Sequence, residues 1–261
     1  MSKIKIMSVP FLNLSKEEYI STAKKRMLSG EKTVIFTPNP QMLLGAKKDK
    51  EIRKILQKSD INLPDGSGII IASKLLRSPI KETVCGIDFA EAILSIAQEQ
   101  GLSVFLLGGK EGRADEAKEA LKNKFPSLNI CGTHHGYFKK QGKENEAVIG
   151  KLKTVSPDII FVCFGFPEQE KWIVENINHL PSCKLAMGLG GSIDVWSGHV
   201  KRAPKLFRKM RLEWLWRAAR EPRRMKIFLD IPRFLFAILS QKTKGHSAQS
   251  ETPINTDFLE S

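Results

Sequence analysis
Short runs of β-branched and aromatic residues, each closed by glycine and followed by a stretch of helical period, recur along the chain. Ser103-Val-Phe-Leu-Leu107, Asp158-Ile-Ile-Phe-Val-Cys-Phe164 and Lys184-Leu-Ala-Met-Gly-Leu189 lack the polar alternation of a half-solvated strand, so they read as strands buried on both faces. Upstream, Ser15-Lys-Glu-Glu18 is a capping box that predicts a helix ending near Gly30, and Thr33-Val-Ile-Phe-Thr37 reads as a further short buried strand. Strand and helix signals alternating in this way predict an α/β fold with a mostly parallel sheet and helices on both faces.

The pattern changes near residue 200. Phe207, Met210, Trp214 and Ala218 fall at spacings of three and four, which predicts one helix face, while Arg217 and Arg220 share another. Pro222 is expected to break this helix and start the next, through Arg223, Arg224 and Lys226. The apolar run from Ile227 to Leu239 contains Asp230, Pro232 and Arg233 and is far shorter than the ~20 apolar residues a bilayer requires, so it can lie in an interface but not span. Charge sharpens this picture. Residues 201 to 244 carry fourteen Lys and Arg against three acids, a local charge of +11 within a total of +14, with Phe207, Trp214, Trp216, Phe228, Phe234 and Phe236 among them. Basic residues interleaved with aromatics suit an anionic membrane surface or a nucleic acid. The expected organisation is an α/β body over 1–200, a basic helical appendage over 201–240, and a polar, disordered tail over 241–261.

The chain of 261 residues suffices for one sizeable core plus an appendage. Its first residues contain no uninterrupted apolar segment of the secretory kind, which leads to the expectation of a cytoplasmic protein attached peripherally to the inner face of the cell membrane. Cys85, Cys131, Cys163 and Cys183 show no CxxC spacing, so buried reduced thiols are expected rather than disulfides or a zinc knuckle.

In a Rossmann-like sheet, ligands bind beyond the carboxyl ends of the strands. The loops there are rich in Gly, Pro and polar residues: Thr37-Pro-Asn-Pro-Gln41, Pro64-Asp-Gly-Ser-Gly68, Gly108-Gly-Lys-Glu-Gly112, Gly165-Phe-Pro-Glu-Gln-Glu170 and Gly188-Leu-Gly-Gly-Ser192. Asp65, in its Pro64-Asp65-Gly66 turn, is placed to act as a general base or to make an Asx-turn or helix cap. Thr37 and Asn39 offer hydrogen bonds to a polar ligand or to their own turn. Gly108 and Gly109 ahead of Lys110 and Arg113, and Gly190 and Gly191 ahead of Asp194, resemble turns that cradle an anion at a helix start, although neither matches a complete phosphate-binding fingerprint. Pro167 fits the first helical position with acids in the following turn, whereas Gln169 has no such local explanation and suits sugar hydroxyls. His134 and His135 have no partner at metal spacing and read as core or rim histidines. The chain has no D-x-D, so no cofactor is expected and neutralisation of a diphosphate falls to Lys and Arg.

Taken together and in order, these segments resemble the WecG/TagA/CpsF family of bacterial glycosyltransferases, glycosyltransferase family 26. The resemblance runs from about Val34 to Arg224 and rests on Thr-Pro-Asn-Pro at 37 to 40, Pro-Asp-Gly at 64 to 66, Gly86-Ile-Asp-Phe89, Phe105-Leu-Leu-Gly-Gly109, Gly136-Tyr-Phe138, Gly165-Phe-Pro-Glu-Gln-Glu170, Gly190-Gly191, Gly198-His-Val-Lys-Arg-Ala-Pro204 and Leu212-Glu-Trp-Leu-Trp-Arg217. It implies an inverting, metal-independent transfer of a hexose, such as N-acetylmannosamine, from a UDP-sugar to an undecaprenyl-diphosphate-linked N-acetylglucosamine in cell-surface polymer synthesis. Carried over residue by residue, it implies Asp65 as base, Thr37, Asn39 and Gln169 in the site, and Arg217, Arg220 and Arg224 closing over it from a membrane-docked appendage. Lys201 and Arg202 are expected to join them at the diphosphate. Relatives often carry Arg where this chain has Thr83, so a diphosphate contact there is lost or falls to another residue, with Lys81 as candidate. The partners expected are the UDP-sugar, the lipid-linked acceptor and an anionic membrane, with self-association into a homo-oligomer allowed. A basic nucleic-acid-binding module is the competing reading of the charge, without an RRM, KH or helix-turn-helix signature behind it. A dinucleotide-dependent oxidoreductase would need a fuller glycine fingerprint and a ribose-binding acid.

Overall fold
A computed structural model of the chain describes residues 3–210, 213–220 and 227–249, with the side chains of 208, 209, 214, 217, 220, 227, 229 and 242–249 outside that description. The chain opens with a hairpin, β1 (Lys3–Ile6) and β2 (Val9–Leu12), and then alternates helix and strand. The order is α1 (Lys16–Leu28), β3 (Thr33–Phe36), α2 (Pro40–Lys48), α3 (Lys50–Gln57), β4 (Ile61–Asn62), α4 (Ser67–Leu75), α5 (Gly86–Gln100) and β5 (Val104–Gly108). There follow α6 (Arg113–Lys124), β6 (Ile130–His134), α7 (Lys143–Val155), β7 (Ile159–Cys163), α8 (Glu168–Asn176), β8 (Leu185–Gly188) and α9 (Ser192–Trp196). The carboxyl-terminal helices are α10 (Lys205–Lys209), α11 (Glu213–Arg220) and α12 (Ile227–Gln249). Strands β3 to β8 form one sheet in the order β4-β3-β8-β7-β5-β6, every pair parallel, so the α/β reading with a Rossmann-like parallel sheet holds.

Strands β3, β5, β7 and β8 supply apolar side chains to both faces, as their apolar runs require. Ile35, Leu106, Phe161 and Met187 face one core with Tyr19, Phe89, Ile93, Ala117 and Trp196 from α1, α5, α6 and α9. Their neighbours Phe36, Phe105, Leu107, Ile160 and Val162 face the other, with Leu43, Leu56, Ile69, Leu152, Trp172 and Ile173 from α2, α3, α4, α7 and α8. The period-two alternation of a strand thus divides one run between two cores, and each fully buried phenylalanine contributes roughly 1.5–3 kcal/mol. The capping box is present, with the Ser15 and Glu18 side chains bonded to each other's backbone N–H. The β1–β2 hairpin and β6 carry no matching signal in the runs read as strands. Cys163 and Cys183 are buried, but Cys85 and Cys131 are only half-buried; all four are free thiols.

The appendage departs from expectation in two ways. The single helix predicted through Phe207, Met210, Trp214 and Ala218 is two short helices, α10 and α11, bridged by a ring contact of Phe207 with Trp216 at 5.4 Å between centroids. The boundary expected at residue 240 falls inside α12, which packs on the body: Phe234, Ala237 and Ile238 are buried in the second core. Polar ties run the same way, from Gln41 Nε2 to Asp230 at 3.1 Å and from Met7 N to Gln241 Oε1 at 2.8 Å. The opposite face of α12 exposes Phe228, Phe236 and Leu239. Among the described residues no helix is long and apolar enough to cross a membrane. Pro222 and residues 250–261 lie outside the described residues.

The sheet edge depends on glycine where two strand ends meet. A Cβ on Gly108, at φ +146°, would lie 2.4 Å from the Cys163 carbonyl oxygen, whereas one on Gly150, in α7, meets nothing within 4 Å. Gly108→Ala should therefore destabilise the protein by about 2–4 kcal/mol in urea unfolding, while Gly150→Ala should stabilise it by about 0.5–1 kcal/mol.

Candidate active site
Because all six strands run parallel, the loops after them gather along one edge. Next to β3 and β4, two proline-rich turns are tied together: Leu63 N donates to Phe36 O at 2.9 Å and Asp65 N to Pro38 O at 3.4 Å. Gly68 lies so close to Pro40 that a Cβ would stand 2.5 Å from its ring, and Gly66 takes a positive φ of +88° that lets the chain turn into α4. These approaches bring Thr37, Asn39 and Asp65 into one neighbourhood. Asn39 caps α2, its Oδ1 accepting from Gln41 N at 3.0 Å and Met42 N at 3.1 Å, so that oxygen serves its own turn. Thr37 covers Gly86, where a Cβ would come within 2.9 Å of its methyl group.

Asp65 is half-buried and belongs to a charged group around Cys85. Burial first, and then the negative charges of Asp65, Glu213 and Asp88, push the Cys85 thiol up to about 12. Arg202 enters this group from the appendage, its Nη2 lying 2.7 Å from Asp88 Oδ1 and 3.7 Å from Cys85 Sγ, and Glu213 Oε2 lies 3.9 Å from the same sulfur. Arg202 is therefore engaged by Asp88, and its buried Nε has no hydrogen-bond partner among the described residues.

Beyond β5, β6, β7 and β8 the same edge opens into a cleft of about 840 Å³ whose rim includes Gly109, Gly136, Gly165, Gly190 and Gly191. Gly136 N donates to Gly109 O at 2.8 Å, joining two of these loops. Lys140 closes the loop after β6 on itself: Nζ donates to Gly136 O at 2.5 Å and Phe138 O at 2.9 Å, and lies 3.8 Å and 4.1 Å from the ring centroids of Phe138 and Phe164. Burial lowers its pKa from the ordinary lysine value, against the pull of Glu168 and Glu144. Arg113, at the start of α6, pairs with Asp194 at 2.5 Å. Tyr137 stands exposed at the rim. Basic side chains (Lys110, Arg113, Lys140 and Lys171) and the aromatic faces of Tyr137, Phe138 and Phe164 make this a cleft suited to an anionic ligand that carries a planar ring.

Gln169 is buried behind the cleft, and the structure gives it the local role that its sequence position did not. Its Oε1 accepts from Gly165 N at 3.2 Å and from Gly190 N at 2.8 Å, and its Nε2 donates to Glu170 Oε1 at 2.7 Å. Pro167 sits at the N-cap of α8 rather than one position inside it. Burial raises the Glu170 carboxyl to about 7.

One strand edge therefore gathers Thr37, Asn39, Asp65, Gly66, Gly108, Gly109, Gln169, Gly190 and Gly191. Arg202 reaches it through Asp88, and Lys201 is exposed. Arg217 and Arg220 lie on α11, with side chains that are not described, and Arg224 lies outside the described residues. Thr83 is half-buried; Lys81, the candidate to replace an arginine there, is held by Glu18 at 2.8 Å. His134 and His135 stack on each other at 4.5 Å, at the end of β6. Sequence reading did not single out Lys140, Asp88 or Glu170: a loop lysine and two acids in helical first turns look like ordinary surface residues until the fold surrounds them. Asp88, Gly136, Phe138 and Glu170 had a signal, as parts of motifs, but no assigned role.

The sequence model described as the Glycosyl transferase WecG/TagA/CpsF family matches residues 4–248. The N-acetylglucosaminyldiphosphoundecaprenol N-acetyl-beta-D-mannosaminyltransferase of Bacillus subtilis (strain 168) is 31% identical over 238 residues, 91% of each chain. The enzyme of the same name from Bacillus spizizenii is 33% identical with the same coverage. That from Staphylococcus aureus (strain MRSA252) is 32% identical over 250 residues, 95% of this chain and 96% of the relative.

The buried Glu170 carboxyl predicts a pH dependence of stability. Its pKa is raised in the folded state from 4.5 to about 7, so the folded protein holds this proton more tightly than the unfolded chain. Stability from this group is full below the unfolded value and is lost as pH rises toward 7. Urea unfolding at pH 5 and pH 8 should show the native protein losing up to roughly 3 kcal/mol that a Glu170→Gln variant does not lose.

Proposed function
This chain belongs to the WecG/TagA/CpsF family of glycosyl transferases, and we propose that it moves N-acetylmannosamine or a related hexose from a UDP-sugar to undecaprenyl-diphosphate-linked N-acetylglucosamine. The observation that carries the reading is the convergence, on one parallel-sheet edge, of the Asp65 turn and the glycine-rimmed cleft. The relatives' names supply the lipid-linked acceptor. In this reading the cleft takes the nucleoside diphosphate, and the sugar lies between it and Asp65, over Thr37 and Asn39.

Asp65 accepts the proton of the acceptor hydroxyl as that oxygen bonds to the anomeric carbon. The bond from that carbon to the diphosphate oxygen breaks with inversion, and UDP departs as the anion. Charge on the leaving group is met by cations and by the peptide dipoles of the Gly108–Gly109 and Gly190–Gly191 turns, without a metal. Lys110 and Lys201, with Arg217, Arg220 and Arg224 of the appendage, are the proposed cations. Arg202 contributes by joining the appendage to Asp88 beside the base, and Gln169 by holding two cleft loops.

The lipid acceptor gives the outer face of α12 a role. Phe228, Phe236 and Leu239, exposed on a helix whose other face is buried in the core, support peripheral attachment to an anionic membrane. The polymer served is in this reading a cell-surface polysaccharide or teichoic acid.

Asp65→Asn should lower kcat on a lipid-diphosphate N-acetylglucosamine acceptor by about 10²–10⁴-fold while UDP affinity by calorimetry is retained; undiminished turnover would remove Asp65 from this role. The double substitution Phe236→Ser and Leu239→Ser should leave the thermal midpoint nearly unchanged and weaken sedimentation with anionic vesicles by roughly tenfold or more. Unchanged vesicle binding would count against this face as the membrane contact.

A further inference from the structure
We propose that Glu170 is a positioning residue that locks the Gln169 amide in the one orientation able to bridge the Gly165 and Gly190 loops, and so sets the shape of the cleft wall. The two backbone N–H groups facing Gln169, at 3.2 Å and 2.8 Å, can only donate, so the atom opposite them has to be Oε1. The nitrogen Nε2 is then turned inward and needs an acceptor. Glu170 Oε1 supplies it at 2.7 Å. Without that acceptor the inward NH2 would be an unpaired buried donor, and the flipped amide would set donors against donors at both loops.

Three features point to design around this contact. Glu170 is fully buried, and no cation lies within ion-pair range of it among the described residues, so it is not kept for a salt bridge. Its second oxygen, Oε2, is buried and has no hydrogen-bond partner among the described residues, which makes the carboxyl a costly occupant unless the first oxygen does a needed task. Finally, β8 ends in Gly188, where a Cβ would stand 2.9 Å from Gln169 Nε2, so the strand leaves room for the amide. Gly165 and Gly190 both rim the cleft. A hydrogen-bond pair made by adjacent residues of α8 thereby clamps the ends of two neighbouring strands, β7 and β8.

The consequence for ligand binding rests on the cleft being the nucleotide site. In full-length protein, Glu170→Leu fills the same space without an acceptor, Glu170→Asp withdraws the acceptor by one methylene, and Glu170→Gln restores an acceptor oxygen without the charge. Amide hydrogen exchange should show Gly165 and Gly190 N–H protection reduced at least tenfold in the Leu and Asp variants and restored in the Gln variant. UDP affinity by calorimetry should fall about tenfold in the first two and recover in the third. Native protection at both glycines in a folded Leu or Asp variant would overturn the proposal, as would a Gln variant that loses as much as they do. Native protein that binds no UDP would defeat the nucleotide reading alone, since the exchange measurement tests the clamp without any ligand.

Discussion
Parallel pairing of six strands is the constraint from which the rest of this molecule follows. Parallel neighbours cannot be joined by a tight hairpin; each connection must cross back over a face of the sheet, and here the connections carry helices. Those helices bury both faces, which is why β5, β7 and β8 are apolar and why Phe36, Phe105 and Phe161 are fully enclosed. The same geometry sends every strand's carboxyl end to one edge. Six loops that are far apart in the chain are thereby made neighbours, and a site can be assembled from one or two residues of each.

Neighbouring loops still have to be held at working distances, and this edge does so by close approach and by polar staples. Gly108 abuts the Cys163 carbonyl, Gly68 abuts Pro40, and Gly86 lies beneath Thr37. Side chains complete the job: Lys140 gathers two carbonyls and two rings around one ammonium, and Gln169 spans two loops from behind. Low dielectric strengthens such contacts and also makes an unpaired member expensive. The wall of the cleft is thus tied to the core at several points rather than left as a set of free loops.

The basic carboxyl-terminal region is tied into the same body. Arg202 pairs with Asp88 close to Asp65, Ala203 and Ala218 are buried, and α12 gives Phe234, Ala237 and Ile238 to the core that it shares with α2 and α4. A segment whose composition reads as a surface address therefore has one face that stabilises the fold and another that is exposed. In the proposed function this arrangement keeps the lipid-facing helix and the base in fixed relation, which suits an acceptor whose tail stays in the bilayer while its sugar reaches the protein.

The order and character of the main elements were legible in the chain, because a strand buried on both faces must be apolar at every position and a helix must satisfy its first N–H groups, as the Ser15 capping box does. The loops gathered at the strand ends were legible too, since such turns need Gly, Pro and small polar residues. The β1–β2 hairpin, the division of the appendage into α10 and α11, and the burial of one face of α12 were not, because they depend on which surface is available to cover them. Site roles divided along the same line. Asp65, Thr37 and the glycine turns stand out as candidates by local type and spacing. By contrast, the engagement of Arg202 by Asp88, the cage around Lys140 and the Gln169–Glu170 clamp were decided by tertiary structure, because each is completed by groups that only the folded sheet edge brings within hydrogen-bonding distance or into position to bury the pair.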